Sequence, residues 1–169
     1  MPDLLTHVLG AYVLLTPLAW RVEWLEQRHV ALAMVGMIVP DLAKVRLVID
    51  ATVVEQVLGG PWLWTGVHRL GPALALAGIG AMCFERGRRT VAFGWVVVGL
   101  LFHFLFDLAV TRANGLAPPY PYPLSWWHPP SADMLLSSDI WPAVVASLLA
   151  VGTWGLDWWM HSARGRQDR

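Results

Sequence analysis

Two side chains set the chemical question: His103 and Asp107, four residues apart in Phe102-His103-Phe104-Leu105-Phe106-Asp107, inside an apolar run from Val91 to Val110. An ionisable group at membrane depth costs roughly 2.5–3.5 kcal/mol on insertion scales, so an Asp and a His there require a reason. On a helix, positions i and i+4 share a face with Cβ atoms about 6 Å apart, which suits two ligands reaching one cation. The same spacing suits a His–Asp hydrogen bond that ties helices together, and spacing alone does not separate the two.

The composition says what surrounds that pair. Among 169 residues, 56% are hydrophobic and only 14% charged, and the mean hydropathy is +0.51. These values point to one all-α, integral membrane helical bundle filling residues 1–169. Zero net charge supplies no basic field for nucleic acid. A single cysteine, Cys83, rules out an intramolecular disulfide and a Cys-rich metal site, so a metal here would be held by His and carboxylates. With Asp3 and no Lys or Arg before Arg21, the amino-terminal run reads as a retained helix rather than a signal peptide.

About five membrane helices and one interfacial amphipathic helix are expected. The first runs from Leu4 to Trp20. The second, His29 to Val39, is too short for the roughly 20 residues a span needs, so it should continue past Pro40 and hold Asp41 below the surface. Lys44 to Leu58 mixes charges with Val, Leu and Ile, which predicts an amphipathic segment lying on the surface and roofing the site. After the Gly59-Gly60-Pro61 break, Trp62 to Phe84 forms the third span, with His68 and Arg69 near its start. Val91 to Val110 is the fourth, a proline-rich loop covers Ala113 to Asp139, and Ile140 to Met160 is the last.

Charge orients the bundle. Placing Arg86, Arg88 and Arg89 in the cytoplasm brings Arg21, Arg28, Arg164, Arg166 and Arg169 to the same side, eight cations against Lys44, Arg46 and Arg112. In that topology His7, Asp41, His68, His103 and Asp107 all fall within roughly 15 Å of the outer interface at about 1.5 Å rise per residue. Three imidazoles and two carboxylates in one layer suit a divalent ion, most readily zinc, with manganese or iron open. His29 and His161 belong to the inner side as interfacial residues, and His128 in the outer loop is a candidate to reach the site from above.

The ordered elements Met1-Pro2-Asp3-Leu4-Leu5-Thr6-His7, Pro40-Asp41-Leu42-Ala43-Lys44, His68-Arg69, and His103 to Asp107 followed by a proline-rich loop resemble the membrane-bound metal-dependent hydrolases of the inner-membrane-associated type. The order Asp, His, His-x3-Asp is also similar to the first metal site of the zinc-dependent phospholipase C and nuclease group. That resemblance implies one metal shell of Asp41, His68, His103 and Asp107, with His7 behind it. One departure stands out: where the family commonly has Thr-His-Ser after the His-Arg pair, this chain has Leu70-Gly71-Pro72-Ala73-Leu74, with Pro72 and Ala73 in place of Thr and His.

The expected function is therefore metal-dependent hydrolysis of a phosphoester or ester in a lipid or lipid-linked substrate at the outer face of a plasma or inner membrane. A bound divalent metal supplies both an activated water and a polarised substrate oxygen. Asp41 or Asp107 would act as base, and Arg69, with Lys44 and Arg46, would hold the anion, although Lys44 and Arg46 equally suit lipid headgroups. The alternatives are a non-catalytic metal-binding membrane protein and an ion transporter. Transport is disfavoured because the inner half offers little polarity beyond Thr16, Ser147, Thr153 and Asp157. The orientation is open to cysteine labelling: in a Cys83→Ser background, a cysteine placed in Ala113 to Asp139 should react from outside the cell, and reaction only from the cytoplasm would invert the topology.

Overall fold

In a computed structural model, residues 4–167 are described, with the side chains of 163–167 excluded. Met1-Pro2-Asp3, the tail position Arg169 and the side chains of Arg164 and Arg166 thus lie outside the described residues. The described chain is helical, as expected: α1 Leu4–Ala19, α2 Gln27–Ile38, α3 Ala51–Leu58, α4 Trp64–Val67, α5 Leu70–Met82, α6 Arg89–Asp107 and α7 Trp141–Gln167. Two stretches, Arg86–Asp107 and Trp141–Ser162, are long and apolar enough to cross a membrane. Leu4–Ala19 and Leu70–Ala81 are shorter apolar helices.

The seam between α2 and α6 is the centre of the bundle. These helices run side by side because small residues let their backbones touch: a Cβ on Gly36 would strike the Val96 carbonyl, and one on Gly99 the Ala33 carbonyl. Val30, Ala33, Met37, Val96 and Leu100 are buried along the seam. Helix α1 packs on α2, α5 on α6, and α7 on α1, where Trp20 Nε1 donates to Asp157 Oδ1 at 2.7 Å.

Past Pro40 the chain stays helical, as expected, but tightens into 3₁₀ geometry over Pro40–Leu47, with Asp41 buried in its first turn. The pitch change turns the segment off the α2 axis and onto α4.

Four expectations need correction. The span expected from Trp62 to Phe84 is broken at His68 and Arg69, between α4 and α5. Pro72 lacks an N–H to give to the His68 carbonyl four residues back and its ring crowds that carbonyl, which disfavours a continuous helix by about 3 kcal/mol; in the first turn of a new helix Pro72 is tolerated. Next, the central helix stops at Asp107 rather than Val110. The returning loop takes its final turn: Ala132 N–H donates to Leu108 O at 2.7 Å, and Met134 N–H to Ala109 O at 2.9 Å. The stretch from Lys44 to Leu58 is not one amphipathic helix either. Asp50 caps α3 by accepting from Thr52 N–H at 2.9 Å, and no residue of α3 is buried, so α3 does not roof the site. Finally, His29 is buried: its ring stacks on Trp95 at 5.3 Å, and its Nδ1 accepts from Glu26 N–H at 3.1 Å, closing the first turn of α2.

The seam predicts an asymmetry among glycines. Gly99→Leu should lower stability by at least about 1–3 kcal/mol through overpacking. Gly94→Ala, on the same helix but facing open space, should cost nothing or gain up to about 1 kcal/mol from helix propensity. Thermal unfolding of detergent-purified protein reads both, and equal melting of the two variants would reject the seam.

Candidate metal centre

Five elements deliver the polar residues to one end of the bundle. His7 comes from the first turns of α1, Asp41 from the 3₁₀ turn after α2, His68 from the α4–α5 break, and His103 and Asp107 from the last turns of α6. Tyr120 comes from the proline-rich loop. That loop is pinned over the start of α5, where Leu70 N–H donates to Tyr120 O and Gly71 N–H to Tyr122 O, each at 2.9 Å. All five predicted ligand residues are buried, with His7, His103 and Asp107 at zero exposure.

The core of the cluster is a triangle of ligand atoms. His68 Nε2 lies 3.0 Å from His103 Nε2 and 3.0 Å from Asp107 Oδ2, and His103 Nε2 lies 3.6 Å from Asp107 Oδ2. A tetrahedral zinc ion with ligands at about 2.0–2.1 Å has ligand–ligand edges of about 3.3 Å, so this triangle is one face of such a site. His7 joins through Asp107 Oδ1 at 3.5 Å and a stacked ring contact with His103 at 4.1 Å. Asp41 joins from the 3₁₀ segment after α2, its carboxylate within 4.8 Å of ligand atoms on His68 and His103.

The surrounding hydrogen bonds prepare these atoms. The carbonyl of Met37 can only accept, so His103 Nδ1, 2.7 Å away, carries the proton. Its Nε2 is left with a lone pair aimed into the cluster. This carbonyl anchor on the ring nitrogen away from the cluster is the usual partner of a metal-binding histidine. Lys44 Nζ donates to Asp41 Oδ2 at 2.6 Å, whereas the buried Asp41 Oδ1 has no hydrogen-bond partner among the described residues. Tyr120 Oη donates to Asp107 Oδ2 over a long 3.4 Å and accepts from Arg112 Nη2 at 3.4 Å. Burial first, then the Asp107 charge, pushes the Tyr120 phenol up, so it remains a neutral donor.

Lys44 pairs with Asp41, whereas among the described residues Asp107 contacts imidazoles and a phenol. With His103 Nε2 an acceptor, His68 Nε2 is placed to donate to it at 3.0 Å. These buried His and Asp groups could instead hold a divalent cation, which would offset the Asp107 charge and take up the His68 and His103 lone pairs on loss of that proton. Nitrogen and oxygen donors without thiolate suit zinc, and also manganese or iron.

Arg69 stands beside the cluster rather than in it. Its guanidinium lies over the rings of Tyr122 and Trp126, at 5.1 and 5.4 Å from their centroids. With Lys44, Arg46, Thr65, His68 and Pro118 it lines a cavity of about 180 Å³. His128 does not reach the cluster; its Nδ1 donates to Ala117 O at 2.9 Å within the loop. Tyr120 and the Met37 carbonyl escaped the sequence reading. A backbone acceptor has no residue-type signal, and Tyr120 is one of two tyrosines in the same proline-rich loop, with Tyr122, and no spacing distinguishes it.

The geometry predicts that His103→Ala reduces stoichiometric divalent metal to background while the chain still folds. His128→Ala should retain the metal. His29→Ala should retain it too but lower stability by about 1 kcal/mol, since it removes the closing bond of the α2 cap. Metal analysis of detergent-purified protein decides, and full metal content in the His103 variant would dismiss the centre.

Comparison with known proteins adds no name: no protein family, no curated protein and no solved structure matches this chain.

Proposed function

We propose that this chain is a multi-pass membrane protein that binds a divalent metal, most readily zinc, and hydrolyses a phosphoester bond in a lipid or lipid-linked substrate. The observation that carries the reading is the junction of two features at His68. This residue is a corner of the ligand triangle and also a wall of the cavity lined by Lys44, Arg46 and Arg69. An anion held in that cavity has its phosphorus next to the metal centre.

Three cationic side chains around about 180 Å³ suit a phosphate group rather than a neutral ester. Arg69 is held by two aromatic faces, so little side-chain freedom is lost when it engages an anion. Exposed apolar residues adjoin the lining: Leu47 follows Arg46 in the chain, Leu63 precedes Trp64-Thr65, and Trp126 lies under Arg69, with exposures of 79%, 65% and 65%. This fits a substrate whose phosphate enters the cavity while its chains stay in the bilayer. Five alternating helices would place this end at the outer leaflet, with α1 and α5 as short spans and α2 extended by its 3₁₀ turn. The ordered resemblance to membrane-bound metal-dependent hydrolases supports the same reading.

A divalent ion at the triangle would polarise the phosphoryl oxygen and acidify a water. The protein's own part is positioning and proton transfer. Asp41 is fixed through Oδ2 by Lys44, which leaves Oδ1 to accept the proton of the attacking water. Asp107, committed to three imidazoles and Tyr120, orients them instead. Arg69 neutralises the phosphate.

Detergent-purified, zinc-loaded protein should cleave a member of a phospholipase C and lipid phosphatase panel. Arg69→Gln should cost about 10- to 100-fold in kcat/KM, the weight of one charge-assisted contact, mainly through KM and without loss of zinc. Metal bound in full with no turnover on the panel would instead leave a metal-binding membrane protein without catalysis.

A further inference from the structure

A cavity of about 790 Å³ lies at the opposite end of the bundle from the candidate metal centre. Trp95, on its wall, precedes Asp107 by twelve residues of α6, or about 18 Å. The cavity is a crevice beside the α2–α6 seam, with walls of Leu32, Val35, Val91 and Trp95 and an end formed by Trp24 and the buried His29. Its rim carries Arg28 from α2 and Arg88 from the turn before α6, with Glu26 as the only acidic lining residue.

We propose that this crevice is a binding site for an anionic glycerophospholipid of the bilayer leaflet at the arginine-rich end, with the phosphate between Arg28 and Arg88 and an acyl chain along the α2–α6 wall. The inference rests on the membrane-spanning part of the reading above and is independent of the hydrolase part.

Three observations commit the occupant. Charge is the first: Arg28 and Arg88 at the rim match an anionic headgroup once their surface pairs are exchanged for it, and the leaflet facing an arginine-rich end is the one rich in anionic lipid. The arginines are also available. Arg28 pairs with Glu26 at 2.6 Å and Arg88 with Glu85 at 3.7 Å, but all four side chains are at least half exposed, and such surface pairs exchange readily for a phosphate. Arg89, by contrast, is committed to the carbonyls of Phe84 and Met82 at 3.0 and 3.1 Å and is not counted. Shape is the third. The volume suits a headgroup with part of one acyl chain, the remainder of the lipid lying outside the crevice, and the polar groups stand at one end of an otherwise apolar wall, as in an amphiphile. The Trp24–Trp95 pair, with centroids 6.0 Å apart, marks the boundary between the two regions, where indole rings favour a bilayer interface.

The test uses the full chain extracted from membranes into detergent, with binding read by native mass spectrometry and thermal shift. The probes are phosphatidylglycerol, phosphatidylcholine and glycerol 3-phosphate. Phosphatidylglycerol should bind at least tenfold more tightly than phosphatidylcholine, and glycerol 3-phosphate should produce no shift. The double variant R28Q/R88Q should erase the preference while leaving phosphatidylcholine binding unchanged, and Ala31→Trp, which fills the crevice, should weaken both lipids. His103→Ala, at the other end, should bind phosphatidylglycerol as the parent chain does. Equal binding of the two lipids, an equal shift with glycerol 3-phosphate, or an unaltered preference in R28Q/R88Q would each overturn the proposal. Recovery of the chain in the soluble fraction without detergent would overturn the membrane reading itself, whereas loss of hydrolysis alone would touch neither.

Discussion

A carboxylate at zero exposure needs partners on every side, and the arrangement of this bundle follows from supplying them to Asp107. The side chain stands at the last residue of α6, where helical hydrogen bonding is ending and nearby backbone cannot satisfy it. Its partners come from α1 through His7, from the α4–α5 break through His68, from its own helix through His103 and from the loop through Tyr120. Each contact from outside α6 fixes one element against it. Misplacing any one of them leaves a buried charge short of compensation, so the site and the tertiary fold are specified together.

The second requirement is backbone proximity. His103 Nδ1 can reach Met37 O at 2.7 Å only because α2 and α6 approach as closely as Gly36 and Gly99 allow. The small residues thus have a chemical consequence beyond packing: they bring a carbonyl within reach of the imidazole and so decide which of its nitrogens faces the cluster. The tightened turn after Pro40 continues the same logic, since it carries Asp41 sideways toward His68 instead of extending along the α2 axis.

The two ends of the bundle have opposite chemistry. One buries carboxylates and imidazoles under a loop held by main-chain hydrogen bonds, with cations lining a small cavity beside it. The other has an open apolar crevice with arginines at its rim. The outer face of α7 stays almost wholly apolar, with Leu148 at 69% and Val151 at 66% exposure, and α7 packs chiefly on α1. In water such a face would be costly; against hydrocarbon it is the surface a peripheral helix needs.

The sequence by itself determined the helical class, the apolar runs that become α1, α6 and α7, the broken loop after residue 112, and the five residues that meet at one end. Those were legible because they depend on periodicity, length and the rarity of charge in apolar sequence, which are local properties. It did not determine that His68 sits at a helix break, that α6 surrenders its last turn to the returning loop, or that His29 is buried against Trp95. Nor did it reveal Tyr120 and the Met37 carbonyl, or the separation of α3 from the site. These outcomes depend on which backbone groups and rings stand within about 3–5 Å once distant segments pack. The hydrogen-bond and stacking partners were 13 to 66 residues away in the chain, a distance at which residue type carries no information about geometry and only the tertiary structure decides.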